Sequence, residues 1–212
     1  NMRILVVGMG LIGGSICKSI KAATSHAVYG CDVQQAVLDD AIADGAIDGT
    51  GNMTDGTYDM IILCLHQRIA IQMVQEALPK IPAGTILVDT CGLKGRMVRD
   101  LTYRCRKADV RYVGTHPMAG REKSGYYASI PNLFQNANLI VTPVDGTDEA
   151  ALDTVKELAD QMGFGKIVTA TPMWHDNMIA YTSQLAHVVS SSYVKDFCMD
   201  DALSFSGGSF QD

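Results

Sequence analysis

The stretch Val6-Val7-Gly8-Met9-Gly10-Leu11-Ile12-Gly13-Gly14-Ser15 decides the fold. The apolar run Ile4 to Val7 leads into it, and an amphipathic segment from Ile12 to Ala22 follows. That order reads as strand, glycine turn, helix. Gly8, Gly10 and Gly13 have the spacing G-x-G-x-x-G, and each glycine has its own task. Gly8 makes the tight turn out of the strand. Gly10 lets the backbone approach a pyrophosphate, where a Cβ would intrude. Gly13 lets the helix pack close to the strand. The free N–H groups of the new helix then face an anion, with the helix dipole in support. Gly8, Gly10, Leu11, Ile12 and Gly13 are therefore candidate cofactor contacts.

A second apolar segment, Ala27 to Cys31, ends at Asp32, 19 positions past Gly13. The carboxylate that holds the ribose hydroxyls of a dinucleotide is expected roughly 20 residues on. A carboxylate there accepts from the 2′-OH of NAD and repels the 2′-phosphate of NADP. Val33-Gln34-Gln35 supplies no arginine to receive that phosphate, so NAD is the expected cofactor. The plainer role for Asp32 is to cap the helix that follows it.

The chain has 212 residues, 47% of them hydrophobic and 19% charged, which suits a packed globule. A net charge of −6 disfavours a nucleic-acid backbone binder. No apolar run reaches the roughly 18 residues of a membrane span. The first strand begins at residue 3, which is expected to leave no room for a signal peptide, so a cytoplasmic protein is expected. The six cysteines form no C-x-x-C pair and read as reduced, mostly buried thiols. Histidines and cysteines do not cluster at metal-ligand spacing, and no metal is expected.

Residues 2 to about 114 alternate strand and helix. Helices are predicted at Gln35 to Ala43, Arg68 to Leu78 and Gly95 to Lys107. Strands are predicted at Tyr58 to Leu65, Thr85 to Val88, and Arg111 to Gly114, the last leading into a loop. A further strand from Asn138, a helix from Asp148 to Met162 and a strand at Lys166 to Val168 complete the layer. The fold class is α/β: a Rossmann-type doubly wound parallel sheet over residues 1–170, followed by the start of a helical second domain at 171–212. Thr171-Pro172 is a strong helix start. The helix after it carries a polar stripe of Asp176, Ala180, Ser183, His187 and Ser191, a candidate substrate wall whose plainer reading is a solvated face.

Ligands of such sheets bind beyond the carboxyl ends of the strands. Gly8 to Gly13, Leu65-His66-Gln67, Asp89 to Lys94 and Thr115 to Gly125 therefore converge on one crevice. Leu65, His66 and Cys91 are candidate walls of the cofactor site. His116 lies just past a predicted strand end, with Pro117 holding its backbone extended. An imidazole near neutral pKa can take the proton of a substrate hydroxyl while hydride leaves for a nicotinamide. The plainer reading is a hydrogen-bonded loop histidine.

Several separated motifs now carry a resemblance across essentially the whole chain. They are Gly8-Met-Gly-Leu-Ile-Gly-Gly-Ser15, Val88-Asp-Thr-Cys-Gly-Leu-Lys-Gly95, Gly114-Thr-His-Pro-Met-Ala-Gly-Arg-Glu-Lys-Ser-Gly125, His175-Asp176 and Ser183-Gln-Leu-Ala-His187. The end, Phe205-Ser-Gly-Gly-Ser-Phe-Gln-Asp212, is similar to a Gly-rich turn of the same family. The chain resembles the prephenate/arogenate dehydrogenases of tyrosine biosynthesis.

The resemblance implies NAD-dependent oxidative decarboxylation of prephenate, or of its amino analogue arogenate, by a homodimer. His116 matches the family's catalytic histidine, which takes the proton of the ring hydroxyl. His187 matches a substrate-site histidine. Ser183, Gln184 and His175 fall in matching motifs, and Gln184 stands where some members carry histidine. Gly92 occupies the place of a serine found in many members. The family's helical domain continues beyond the position of Asp212 and carries an arginine for a substrate carboxylate. Arg121 and Lys123 are the local cations that could partly substitute. The expectation is a chain that binds NAD and turns over poorly. Two alternatives are another NAD-dependent hydroxyacid dehydrogenase and a non-catalytic NAD-binding module. The first usually has a lysine on the long helix, and here only Lys195, near its end, is available.

Overall fold

The computed structural model describes residues 1–191, with side chains as far as Leu185. Strand β1 (Arg3–Val7) is followed by helix α1 (Leu11–Ala23), β2 (Ala27–Cys31), α2 (Gln35–Ala43) and the short β3 (Gly49–Thr50). Then come β4 (Met60–Leu63), α3 (Gln67–Ala77), β5 (Ile86–Asp89), α4 (Gly95–Lys107) and β6 (Arg111–Met118). β7 (Asn138–Val141), α5 (Glu149–Gln161), β8 (Lys166–Thr169) and α6 (Pro172–Ser191) complete the described chain. The sheet has eight strands in the order β3-β2-β1-β4-β5-β6-β7-β8.

Alternation along the strands sorts the core into two layers. Ile4, Val6, Met60, Ile62, Ile86 and Val88 face α1, α2 and α5. Leu5, Val7, Ile61, Leu63 and Leu87 face α3 and α4. Strands covered on both faces must be apolar on both, which is why β1 and β4 read as unbroken apolar runs.

The Rossmann-type α/β fold is the expected one, and the difference lies at β6. The predicted strand ended at Gly114, with Thr115 to Gly125 as loop. Instead β6 continues to Met118. Up to Gly114 it pairs parallel with β5; from Thr115 to Met118 it pairs antiparallel with β7, His116 opposite Ile140. β7 and β8 run parallel to each other and opposite to the rest. The physical reason is the connection. Residues 119–137 hold only a 3-10 turn, Tyr126–Ala128, and no crossover helix, so the chain turns back alongside β6.

This reversal positions the site. Thr169 of β8 pairs with Val141, which pairs with Thr115, so β8 ends level with the carboxyl end of the parallel strands. α6 therefore starts at the crevice. Thr171 caps it as expected, its Oγ1 accepting from Trp174 N–H at 3.1 Å.

Candidate functional site

The glycine turn is built as its spacing requires. Gly8 has φ +96°, and a Cβ on it would lie 2.3 Å from the Cys64 carbonyl oxygen. A Cβ on Gly13 would lie 1.8 Å from the Gly8 carbonyl oxygen, so α1 sits directly on the turn. At Gly10 a Cβ would meet nothing within 4 Å, leaving open space where a phosphate would approach. Leu11 and Ile12 are half-buried at the start of α1. Asp32 accepts from Met9 N–H on Oδ2 at 2.8 Å and from Gln34 N–H on Oδ1 at 2.9 Å. It thus fixes the turn and the chain just before α2 with one carboxylate, and each oxygen keeps lone-pair capacity for a ribose hydroxyl. Cradle, open approach and acceptor fit a dinucleotide.

The opposite wall comes from the ends of β4 and β5. Leu65 packs against the glycine turn, its Cδ2 2.9 Å from where a Gly8 Cβ would be. Cys91 donates its thiol hydrogen to Leu65 O at 3.4 Å, joining the two strand-end turns. Burial pushes the Cys91 thiol up to about 12, with Asp89 adding to the rise, so it is an uncharged wall and not a nucleophile. His66 is exposed and caps α3, its Nδ1 accepting from Arg68 N–H at 3.3 Å.

His116 lies on the α6 side of β6. Its Nδ1 is 2.8 Å from Nε2 of His175, the rings meeting edge to face. His175 Nδ1 is 2.9 Å from Asp176 Oδ1. Asp176 also accepts from Lys94 N–H on Oδ1 (2.7 Å) and from Gly95 N–H on Oδ2 (2.8 Å), so it sits on the N-terminus of α4. The other edge of His116 faces Gly92: a Cβ there would stand 3.6 Å from Nε2. Gly92 is exposed, so that edge is the one a substrate can reach. Burial pulls the His116 pKa down to about 3, helped by His175 and Lys94 and opposed by Asp176. His116 is therefore neutral at physiological pH. Burial also lowers His175, whereas hydrogen bonds from Lys94 N–H, His175 and Gly95 N–H outweigh burial and lower Asp176.

A buried ion pair underlies this arrangement. Lys94 and Asp89 are both 0% exposed and form a salt bridge. Lys94 Nζ also donates to Cys91 O (3.1 Å) and Thr115 O (2.7 Å). Tyr112 OH donates to Asp89 Oδ1 at 2.5 Å, and Thr115 Oγ1 donates to Asp89 O at 2.6 Å. The backbone on both sides of the crevice is thus tied to one ammonium.

His116 and Gly92, which the sequence reading places in one crevice, come together, and His175, known from the sequence only as part of a matching motif, meets them there. His175 is completely buried, with its ring nitrogens turned to His116 and Asp176. Arg121 is exposed and donates to Ala128 O at 2.6 Å, within its own loop, and Lys123 is exposed beside it. Ser183 and Gln184 are exposed on α6, whereas the side chain of His187 lies outside the described residues. Asp89, Lys94 and Tyr112 are not singled out as site residues by the sequence, and Asp176 only as part of the polar stripe and of a matching motif. The signal for Lys94 was available: a lysine between Gly92 and Gly95, in a turn with no acidic neighbour beyond Asp89. Among the described residues no group of histidine, cysteine and carboxylate side chains is arranged to hold a metal ion. No helix among them is long and apolar enough to cross a membrane.

Fold and glycine turn together define a nucleotide-binding domain of Rossmann type. Residues 16–169 match the model of the prephenate dehydrogenase nucleotide-binding domain, and the chain belongs to that family. It is 29% identical to the prephenate dehydrogenase of Bacillus subtilis (strain 168) over 218 residues, covering 99% of this chain and 58% of the relative. It is 30% identical to the cyclohexadienyl dehydrogenase of Zymomonas mobilis, covering 99% of this chain and 74% of that one. The prephenate dehydrogenase from A. aeolicus in complex with hydroxyphenyl propionate and NAD+ superposes with a TM-score of 0.79 at 27% identity, covering 100% of this chain and 76% of that one. Against the B. subtilis relative, then, the chain spans little more than half the length.

Proposed function

We propose that this chain is the cofactor-binding and proton-accepting part of an NAD-dependent dehydrogenase that oxidatively decarboxylates prephenate or arogenate in tyrosine biosynthesis. The observation that carries the reading is a neutral His116 whose Nε2 edge faces exposed Gly92, at the same end of the sheet as a turn shaped for a dinucleotide. NAD, when bound, supplies the acceptor for the hydride that leaves the ring carbon bearing the hydroxyl. Gly8, Gly10 and Gly13 with the start of α1 hold its pyrophosphate, and Asp32 holds its ribose. Leu65, His66 and Cys91 wall its other side. His116 Nε2 takes the proton of the ring hydroxyl as the carbon–hydrogen bond breaks. The ring carboxylate then leaves as CO2, its bonding electrons completing the aromatic ring, and His116 returns the proton to the phenolate oxygen. Gly92 offers no hydroxyl, so the substrate oxygen has His116 as its acceptor on that wall.

The residues on α6 belong to the same reading. Ser183, Gln184 and His187 form a substrate wall at the opening of a helical second domain that starts at 171, and Arg121 and Lys123 are cations available to substrate carboxylates. A cytoplasmic homodimer is part of the proposal, and light scattering tests the stoichiometry. The deciding assay is NADH formation from NAD with prephenate and, in parallel, arogenate, using His116→Asn as control. General-base catalysis contributes about 10²–10⁴-fold, and His116→Asn is expected to lose that much turnover while still binding NAD. Equal turnover by the variant would overturn the role of His116.

A further inference from the structure

His175 and Asp176 form, with His116, a hydrogen-bonded series whose direction is fixed at one end. An ionised carboxylate only accepts, so Asp176 Oδ1 must receive a hydrogen from His175 Nδ1 across 2.9 Å. A neutral imidazole carries one N–H, so His175 Nε2 is then a bare acceptor. It can be satisfied by His116 only if His116 Nδ1 is the donor across their 2.8 Å contact. His116 Nε2, the nitrogen facing Gly92, is left with a lone pair. We propose that His175 is a positioning residue: with Asp176 it holds His116 in the Nδ1–H tautomer, so that Nε2 is the proton acceptor. The proposal rests on the reading above only for what His116 does with that lone pair.

The surroundings support this direction. His175 is completely buried, so water does not compete for its nitrogens. Asp176 is not free to turn, because both its oxygens are held by backbone N–H groups at the start of α4. Among the described residues the other charged groups facing the series are Lys94 and Asp89, and these are paired with each other. The tautomer of a residue on β6 is thereby set by the docking of α6 on α4. A histidine with the opposite tautomer would present an N–H to the substrate hydroxyl and could not take its proton.

The test reads tautomers directly. Histidine 15N spectra of the 212-residue chain at pH 7.5, with His116 assigned by its loss in His116→Gln, report which nitrogen carries hydrogen. The expected wild-type result is Nδ1–H with bare Nε2. Asp176→Ala removes the acceptor for His175 Nδ1–H, and with it the direction of the series. His116 should then shift toward the Nε2–H form. His175→Leu removes the acceptor, and His116 should revert to the Nε2–H form that a free imidazole prefers. Both variants should lose about 10²–10⁴-fold in kcat on the proposed substrates with the Kd for NAD unchanged. Wild-type His116 carrying Nε2–H, or one tautomer in all three proteins, would overturn the proposal. Those spectra stand even if neither prephenate nor arogenate is turned over, an outcome that would count only against the reaction assigned above.

Discussion

Replacing Lys94 by methionine should be among the most damaging single changes in this chain. The ammonium has three hydrogens, and all three are placed: on Asp89 Oδ2, Cys91 O and Thr115 O. Methionine fills nearly the same volume, so the change isolates charge and hydrogen bonding from packing. It leaves Asp89, 0% exposed, with only Tyr112 OH and Cys91 N–H as donors, and strips two carbonyls of a partner. Removing one member of a buried ion pair costs about 3–5 kcal/mol, because the other charge stays behind without compensation. For a chain of this size each kcal/mol is worth about 2–4 °C in Tm, so a fall of roughly 6–20 °C is expected. Urea unfolding followed by circular dichroism measures the loss. Asp89→Asn in the same protein removes the stranded charge, so the double variant should be more stable than Lys94→Met alone. Coupling between contacting residues is typically about 0.5–3 kcal/mol. A Lys94→Met loss below about 1 kcal/mol, or strict additivity of the two changes, would refute the view that this pair holds the strand ends together.

Three further outcomes follow from the same geometry. Gly13→Ala places a methyl 1.8 Å from the Gly8 carbonyl oxygen, backbone against backbone; it should cost about 1–3 kcal/mol or more and abolish NAD binding by calorimetry, and an unchanged Kd would count against the turn as the cofactor cradle. Asp32→Ser removes a charged acceptor worth about 1.5–3 kcal/mol, so the preference for NAD over NADP in paired titrations should fall by roughly 10–100-fold. His116 is held neutral in the fold, whereas an unfolded histidine takes up a proton near its ordinary value of 6.5. The unfolded chain therefore binds more protons below that value, and stability should fall as pH drops from 7.5 to 4.5, by about 2 kcal/mol more in wild type than in His116→Gln. Parallel pH curves for the two proteins would refute the neutral assignment.

Much of the scaffold could be read from local signals, because local physics sets it. The ends of α2 and α4 fell at the expected residues, and Gly8 and Gly13 are where only glycine fits. β6 was read short because a His-Pro pair looks like a strand end. Past Gly114, however, β6 has a neighbour on one side only, and a missing proline donor is tolerable at such an edge. The reversal of β7 had a signal, the lack of a helical pattern in residues 119–137, but apolar strands look the same in either direction. The join between His116 and His175 had none. The two are 59 positions apart, and they meet because the reversed strands deliver α6 to the crevice.

The extension of β6 also governs which changes of length the chain can accept. Side chains on a strand alternate between faces, so inserting or deleting one residue between Arg111 and Thr115 would carry His116 to the α5 face, where Thr115 and Pro117 now point. The shift would leave composition and motif intact while exchanging the imidazole for its neighbour. Four residues beyond His116 the constraint lapses, since the segment from Gly120 to Gly125 has no strand pairing to preserve. Relatives of this sequence should therefore vary in length more readily between Gly120 and Gly125 than across the five residues before His116.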